Sequence, residues 1–293
     1  MMRVFNVGAE KSSKSGFVDL HMHTTASDGV TSPRDLLGIV RKAEVSAFSV
    51  TDHDTLVGSA EIRQLLTEND PELIAGVELS AGEPGEDLHI LAYFFDGSGP
   101  GPESAFVGAL DEFRKRRESR GERIVELLRS NGLKVDFADV RASAAGGPIG
   151  RPHVADALVR AGAVKSYDEA FKRWIGYGRP GYAPKETMTP AEVMRLTHEA
   201  GGIAVLAHPF VNHAEDSLAR LTKLGIDGLE VYHPMNPAGK RKAYRKFAAE
   251  NGLLITGGSD YHGRNDHHGL VGEEKVPYEL LELMRERATR YAK

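Results

Sequence analysis

The 293-residue chain contains no cysteine. That absence excludes disulfides, zinc–thiolate sites and thiol nucleophiles, so any bound metal must be held by His, Asp or Glu. No stretch approaches the roughly 18 consecutive apolar residues that a membrane span needs. The N-terminal stretch 1–16 also lacks an apolar run and reads as a flexible tail, not a signal peptide. A low-complexity linker is missing too, so nothing separates two independent domains. What remains is ordinary globular usage, 41% hydrophobic and 27% charged, at a length suited to one barrel-sized domain or a domain carrying an insertion. The expectation is a cytoplasmic enzyme with no membrane and no stable protein partner. A net charge of −5 would repel a polyanion globally, although clustered Lys/Arg or bound cations can reverse this locally.

Short apolar runs recur at Phe17–Leu20, Ala47–Val50, Leu73–Val77 and Leu88–Phe94, and again at Ile203–Ala207, Gly228–Val231 and Leu253–Thr256. Helix-like stretches lie between them. Ser32-Pro33 reads as an N-cap with proline at the first helical position, and Thr189-Pro190-Ala191-Glu192 as a capping box. Strand signals fade from 101 to 185. There, Phe106, Leu110, Phe113, Ile124 and Leu128 recur at helical spacing within a charged stretch. The expected domains are therefore a β/α body over 17–100 and 186–293, with 101–185 as a helical insertion.

His21 and His23 follow the first run two residues apart, which places both rings on one face. Alone, such a pair could equally be polar residues on an exposed rim. The same event recurs, however: Asp52, His53 and Asp54 after the second run, Glu78 after the third, His89 in the fourth, His208-Pro209 after the fifth, and Asp260 with His262 after the last. Metal-capable side chains thus fall at or near the C-terminal ends of six strand-like runs, where barrels carry their sites. Taken singly, His89 could be a satisfied core histidine, His208 a turn residue before proline, and Asp28 the first residue of an Asp-Gly turn. Jointly these readings are poor. His198, His213 and His267 fall on a helix or in polar loops and read as solvated; His233 and His268 are left unassigned.

In this order the motifs resemble those of the PHP (polymerase and histidinol phosphatase) family, whose signature comprises HxH, TDH, Glu, an AHP-like His and a terminal DxH. SDG at Ser27–Gly29, GVELS at Gly76–Ser80, GRPH at Gly150–His153 and GSDYH at Gly258–His262 are similar to the stand-alone members that act on nucleotides. The resemblance implies an α/β fold, a distorted (β/α)7 TIM-like barrel with a helical insertion. It also implies three divalent ions, manganese before iron or zinc. His21, His23, Glu78 and Asp260 would hold one, Glu78, His89 and His208 a second, and Asp28, His53 and His262 a third. Glu78, Asp260 and His208 would then stand at the reacting centre, with Asp52 as a carboxylate orienting a ligand. Arg151, His153 and Arg179 resemble phosphate-pocket positions, and Arg117 and Arg120, three apart, can share a helix face toward the site. The expected reaction is attack by a metal-held hydroxide on a phosphate ester. Its substrate would be a nucleoside 3′,5′-bisphosphate losing a terminal phosphate, or a short oligonucleotide losing 5′ nucleotides. Histidinol-phosphate hydrolysis and a non-catalytic structural module are the alternatives.

Overall fold

All seven apolar runs form strands in the computed structural model, which describes residues 16–83, 86–97, 99–211, 214–264 and 269–292. They are β1 (Phe17–Asp19), β2 (Val45–Val50), β3 (Glu72–Ala81), β4 (Leu88–Phe94), β5 (Ile203–Leu206), β6 (Gly228–Tyr232) and β7 (Leu254–Gly257), joined by a short β8 (Val276–Pro277) that the sequence did not announce. The sheet order is β7-β6-β5-β4-β3-β2-β1-β8. Its ends curl together: the Leu20 N–H donates to Gly257 O at 3.2 Å, and Met22 bridges to Tyr261 in parallel. The result is a nearly closed eight-stranded barrel with helices outside it.

The barrel departs from seven parallel β/α repeats in one consequential way. β4 runs antiparallel to both β3 and β5. The connection over residues 82–87 is too short for a crossover helix, and a short connection can only reverse the chain. His89 is therefore near the start of its strand, not the C-terminal end expected. The reversal still delivers it to the correct mouth, because Ser80 near the end of β3 pairs with His89.

The helices follow from local chemistry. α1 (Pro33–Val40) is capped by Ser32, which accepts from the Asp35 N–H, and α2 (Val57–Leu65) returns the chain toward β3. α3 (Ala105–Ser130) buries Phe106, Leu110, Phe113, Ile124 and Leu128, and its stripe includes Arg117 and Gly121. α4 (Phe137–Ser143), α5 (Arg151–Arg160), the short α6 (Tyr167–Glu169) and a π-helical turn (Ala170–Ile175) complete this region. α7 (Pro190–Glu199) starts on the reciprocal Thr189/Glu192 capping box. α8 (Leu218–Leu224), α9 (Ala238–Asn251) and α10 (Tyr278–Ala288) cover the remaining strands.

Phe106 and Leu110 pack with the barrel core, whereas Ile124, Leu128, Val140, Val154, Leu158 and Ile175 share a cluster of their own. On that separation we propose the division into a barrel over 17–100 and 186–293 and an insertion over 101–185, with α3 anchoring one to the other. Apart from Gly16, the expected tail lies outside the described residues. Among those described, no helix is long and apolar enough to cross a membrane.

The seam between β1 and β7 is tight. A Cβ on Gly258 would lie 2.4 Å from the His21 backbone nitrogen and 2.6 Å from its Cβ. Gly258→Ala should therefore force the two strand exits apart and destabilise the protein by about 1–3 kcal/mol. Urea unfolding checks this, and an unchanged midpoint would refute the close approach.

Candidate metal centre

At the barrel mouth the exits of β1 and β7 meet the middle of β3. His21 Nε2 and His23 Nε2 face each other at 3.2 Å. Glu78 Oε2 lies 3.2 Å from the first and 3.1 Å from the second, and Asp260 Oδ1 lies 3.3 Å from each. His21, His23 and Glu78 thereby form one group of three, and Asp260 joins His21 and His208 in another. Three donor atoms 3.1–3.2 Å apart surround a point about 2 Å from each, the usual length of a metal–nitrogen or metal–oxygen bond, so one ion fits the first group.

The other Glu78 oxygen, Oε1, lies 2.8 Å from His89 Nδ1 and 2.9 Å from His208 Nε2. Asp28 gathers a further set: His262 Nε2 at 3.3 Å, His53 Nε2 at 3.7 Å and His23 Nδ1 at 3.8 Å. His23 thus offers one ring nitrogen to each of two groups, a sharing the sequence did not suggest. His53 likewise joins a group with Glu78 and His89, its buried Nδ1 lying 3.3 Å from Glu78 Oε2 without a hydrogen bond. All nine side chains that the resemblance assigns to ions fall in these overlapping groups, whereas Asp52 and Asp54 join none of them.

The electrostatics match. Burial alone would raise Glu78, Asp260 and Asp28, yet the surrounding imidazoles hold all three carboxyls well below their usual range. Burial likewise opposes charge on His23, but hydrogen bonds to Asp260 and Glu78 push it up to about 10. His53, where burial dominates, is pushed down to about 3. The cluster keeps its carboxylates ionised among the imidazoles. Three of its strand exits also bear non-glycine residues at positive φ: Asp54 and Asp260 at 51° and His208 at 24°. Such strain persists only where surrounding contacts over-determine the backbone.

The supporting residues differ from expectation. Asp52 does not orient an imidazole; it accepts from the Thr24 N–H (2.7 Å), Thr24 Oγ1 (2.8 Å) and Ser27 Oγ (2.6 Å), pinning the loop that carries Asp28. The ring-orienting carboxylate is Glu230, which sequence reasoning missed. Its Oε1 lies 3.0 Å from His21 Nδ1, and its Oε2 accepts from the His208 N–H at 2.8 Å. The available signal was an acidic residue inside the apolar run Gly228–Val231. His233, left unassigned, meets Asp260 Oδ2 at 3.2 Å. His198 is not solvated: its Nε2 is 2.7 Å from Asp227 Oδ2, and its ring stacks on Tyr291. His213, His267 and His268 lie outside the described residues.

A cavity of about 210 Å³ opens beside the cluster, and its lining combines Asp28, His53 and His89 with Arg117, Arg120, Arg151, Lys185 and Asp87. Arg117 is buried and donates to Asp54 Oδ2 (2.7 Å) and Ser80 Oγ (3.0 Å). Arg120 donates to Ala183 O, and burial beside Arg151 and Arg117 pushes it down to about 10. Arg151 begins α5, 3.8 Å from Asp87. Lys185 was overlooked because the segment before it reads as a loop; burial lowers its pKa, partly offset by Asp87. Two expected contacts need correction. His153 spends both nitrogens on protein, Nε2 on Ser27 O (2.7 Å) and Nδ1 on the Gly150 N–H (3.0 Å), so it braces the cavity wall. Arg179 is exposed on a turn and does not line the cavity.

The sequence pattern of the PHP domain matches residues 19–137. A 5′-3′ exoribonuclease from Haemophilus influenzae is 32% identical, the match covering 83% of this chain and 89% of that protein. A 3′,5′-nucleoside bisphosphate phosphatase from Chromobacterium violaceum is 27% identical, covering 89% and 92%. A crystal structure from Bifidobacterium adolescentis, inferred to be a metal-dependent phosphoesterase, superposes with a TM-score of 0.82 at 32% identity over 92% of this chain and 96% of that one. This chain belongs to the PHP family. It is a metal-dependent phosphoesterase, and the hydrolase resembles enzymes that act on nucleotides and oligonucleotides.

Because Glu230 fixes His21 and the His208 backbone together, Glu230→Gln should weaken metal binding by about 10–100-fold without unfolding the barrel. Metal titration of the stripped protein, read beside circular dichroism, checks it. Undiminished affinity would reduce Glu230 to a structural contact.

Proposed function

We propose that the chain removes a terminal phosphate from nucleoside 3′,5′-bisphosphates or 5′ nucleotides from short oligonucleotides. His21, His23, Asp28, His53, Glu78, His89, His208, Asp260 and His262 would hold three divalent ions, manganese before iron or zinc. The observation that carries this reading is one cavity with two chemistries, carboxylate–imidazole donors from the strand exits and β4 together with four basic side chains from the segment 101–185. When bound, divalent ions at those donors would neutralise phosphoryl charge and acidify a water.

The residues supply the rest. Glu78 ties the groups together by offering one oxygen to each side, while Asp260 and His208 close the centre from the β7 and β5 exits. Arg151, Arg120 and Lys185 give a second phosphate a charge-matched seat away from the donors. Such an excess of positive charge suits a second anion and disfavours a substrate that carries an ammonium group, as histidinol phosphate does. A complete donor set speaks against a purely structural module.

Phosphate release from adenosine 3′,5′-bisphosphate and histidinol phosphate, and release of 5′ nucleotides from a short 5′-phosphorylated RNA, with the protein loaded in turn with manganese, iron and zinc, test the reading. Arg151→Ala should leave metal content intact and lower kcat/KM on the bisphosphate by about ten- to a hundredfold, the loss of a charge-assisted contact of about 1.5–3 kcal/mol. Glu78→Gln should lose activity and metal together. Preference for histidinol phosphate, or full turnover in the fully loaded Glu78→Gln variant, would overturn it.

A further inference from the structure

The insertion carries an aromatic feature that neither the donor cluster nor the cavity uses. Tyr177 is 79% exposed, the most exposed large apolar or aromatic side chain among the described residues. Its ring is not isolated: it meets half-buried Tyr182 edge to face, with centroids 5.2 Å apart and planes at 62°. Both belong to the stretch Gly176–Lys185, whose C-terminal end reaches the cavity through Lys185, and Phe171, five residues before the stretch, lines the cavity too. The stretch contains no Asp or Glu and carries Arg179 and Lys185.

It is also held in shape. The Gly181 N–H donates to Trp174 O at 2.8 Å, the Tyr182 N–H to Arg179 O at 2.9 Å, and Arg120 Nε to Ala183 O at 3.0 Å. A cavity arginine is thereby bonded directly to the backbone one residue beyond Tyr182. The pair of rings is an aromatic step on a segment bonded to one cavity cation, Arg120, and ending in another, Lys185, and aromatic faces combined with phosphate-seating cations bind single-stranded nucleic acid without reading its sequence.

We propose that Tyr177, backed by Tyr182, stacks the base of a nucleotide adjoining the one whose phosphate occupies the cavity. The substrate class is therefore a single-stranded oligonucleotide, and mononucleotides are turned over without use of this step. This rests on the nucleotide phosphoesterase reading above. Recognition is through the π-face of the base, so it tolerates any sequence, and the sugar-phosphate chain leaves the cavity past Lys185 and Arg120.

Steady-state kinetics of the metal-loaded enzyme on 5′-phosphorylated RNA pentamers and on adenosine 3′,5′-bisphosphate test it, with Tyr177→Ala and Tyr177→Phe beside the wild type. Tyr177 is solvent-exposed, so neither variant threatens the fold. Tyr177→Ala should raise KM about tenfold for oligo-A and oligo-U pentamers alike, the size of losing one base–aromatic stack. Its kcat should hold, its constants for the bisphosphate should not move, and Tyr177→Phe should stay close to wild type. An unchanged pentamer KM in Tyr177→Ala, or an equal change on both substrates, overturns the stacking step while leaving the nucleotide reading intact. A wild-type enzyme inactive on both substrates overturns the nucleotide reading instead.

Discussion

Glu78 is 1% exposed, and its two oxygens are shared among His89 and His208 on one side and His21, His23 and His53 on the other. A carboxylate taken out of water is tolerated only when cations or strong donors surround it. Here the barrel supplies imidazoles from the exits of β1, β2 and β5 and from the start of β4, so the fold's closure and the charge balance of one side chain are the same problem. The long β3 carries Glu78 beyond the end of β2, and the hairpin to β4 brings His89 back against it.

Around this anchor the charge is graded. The donor cluster gathers the buried carboxylates of Asp28, Glu78 and Asp260 among imidazoles, and the segment 101–185 brings buried or half-buried Arg117, Arg120, Arg151 and Lys185 to the cavity beside it. A chain of net charge −5 therefore presents a local field suited to phosphate, which a global count would not reveal. Asp54 and Asp87 temper the basic wall. The first fixes Arg117, and the second stands 3.2 Å from Lys185 Nζ. With part of the positive charge committed internally, the wall keeps a defined shape.

The division of labour between barrel and insertion follows. Strand exits, which are short, paired and in places strained, hold the donors where small displacements matter. The insertion, with an apolar cluster of its own, contributes the longer basic and aromatic side chains. In the reaction proposed above, the barrel side would serve the bond that breaks and the insertion side what that bond is attached to.

Local physics made much of this legible in the amino-acid sequence. Short apolar runs marked seven strands, caps at Ser32 and Thr189 marked two helix starts, and the recurrence of His, Asp and Glu near run ends, taken with the resemblance to the PHP family, marked nine side chains that do converge. Each of these signals lies within a few residues of chain. Strand direction does not: a run of apolar residues reports burial and is silent on which neighbour it pairs with, so β4 read as one more parallel strand. The partners of Asp52, Glu230 and His153 were hidden for the same reason. Asp52 meets Thr24 and Ser27, Glu230 meets His21 and His208, and His153 meets Ser27, contacts that depend on how distant segments pack. Residue chemistry alone determined that cations would be held by nitrogen and oxygen. Tertiary structure decided which nitrogen faces which oxygen, and which arginines reach the cavity, because distances between segments far apart in the chain are set only when the barrel closes.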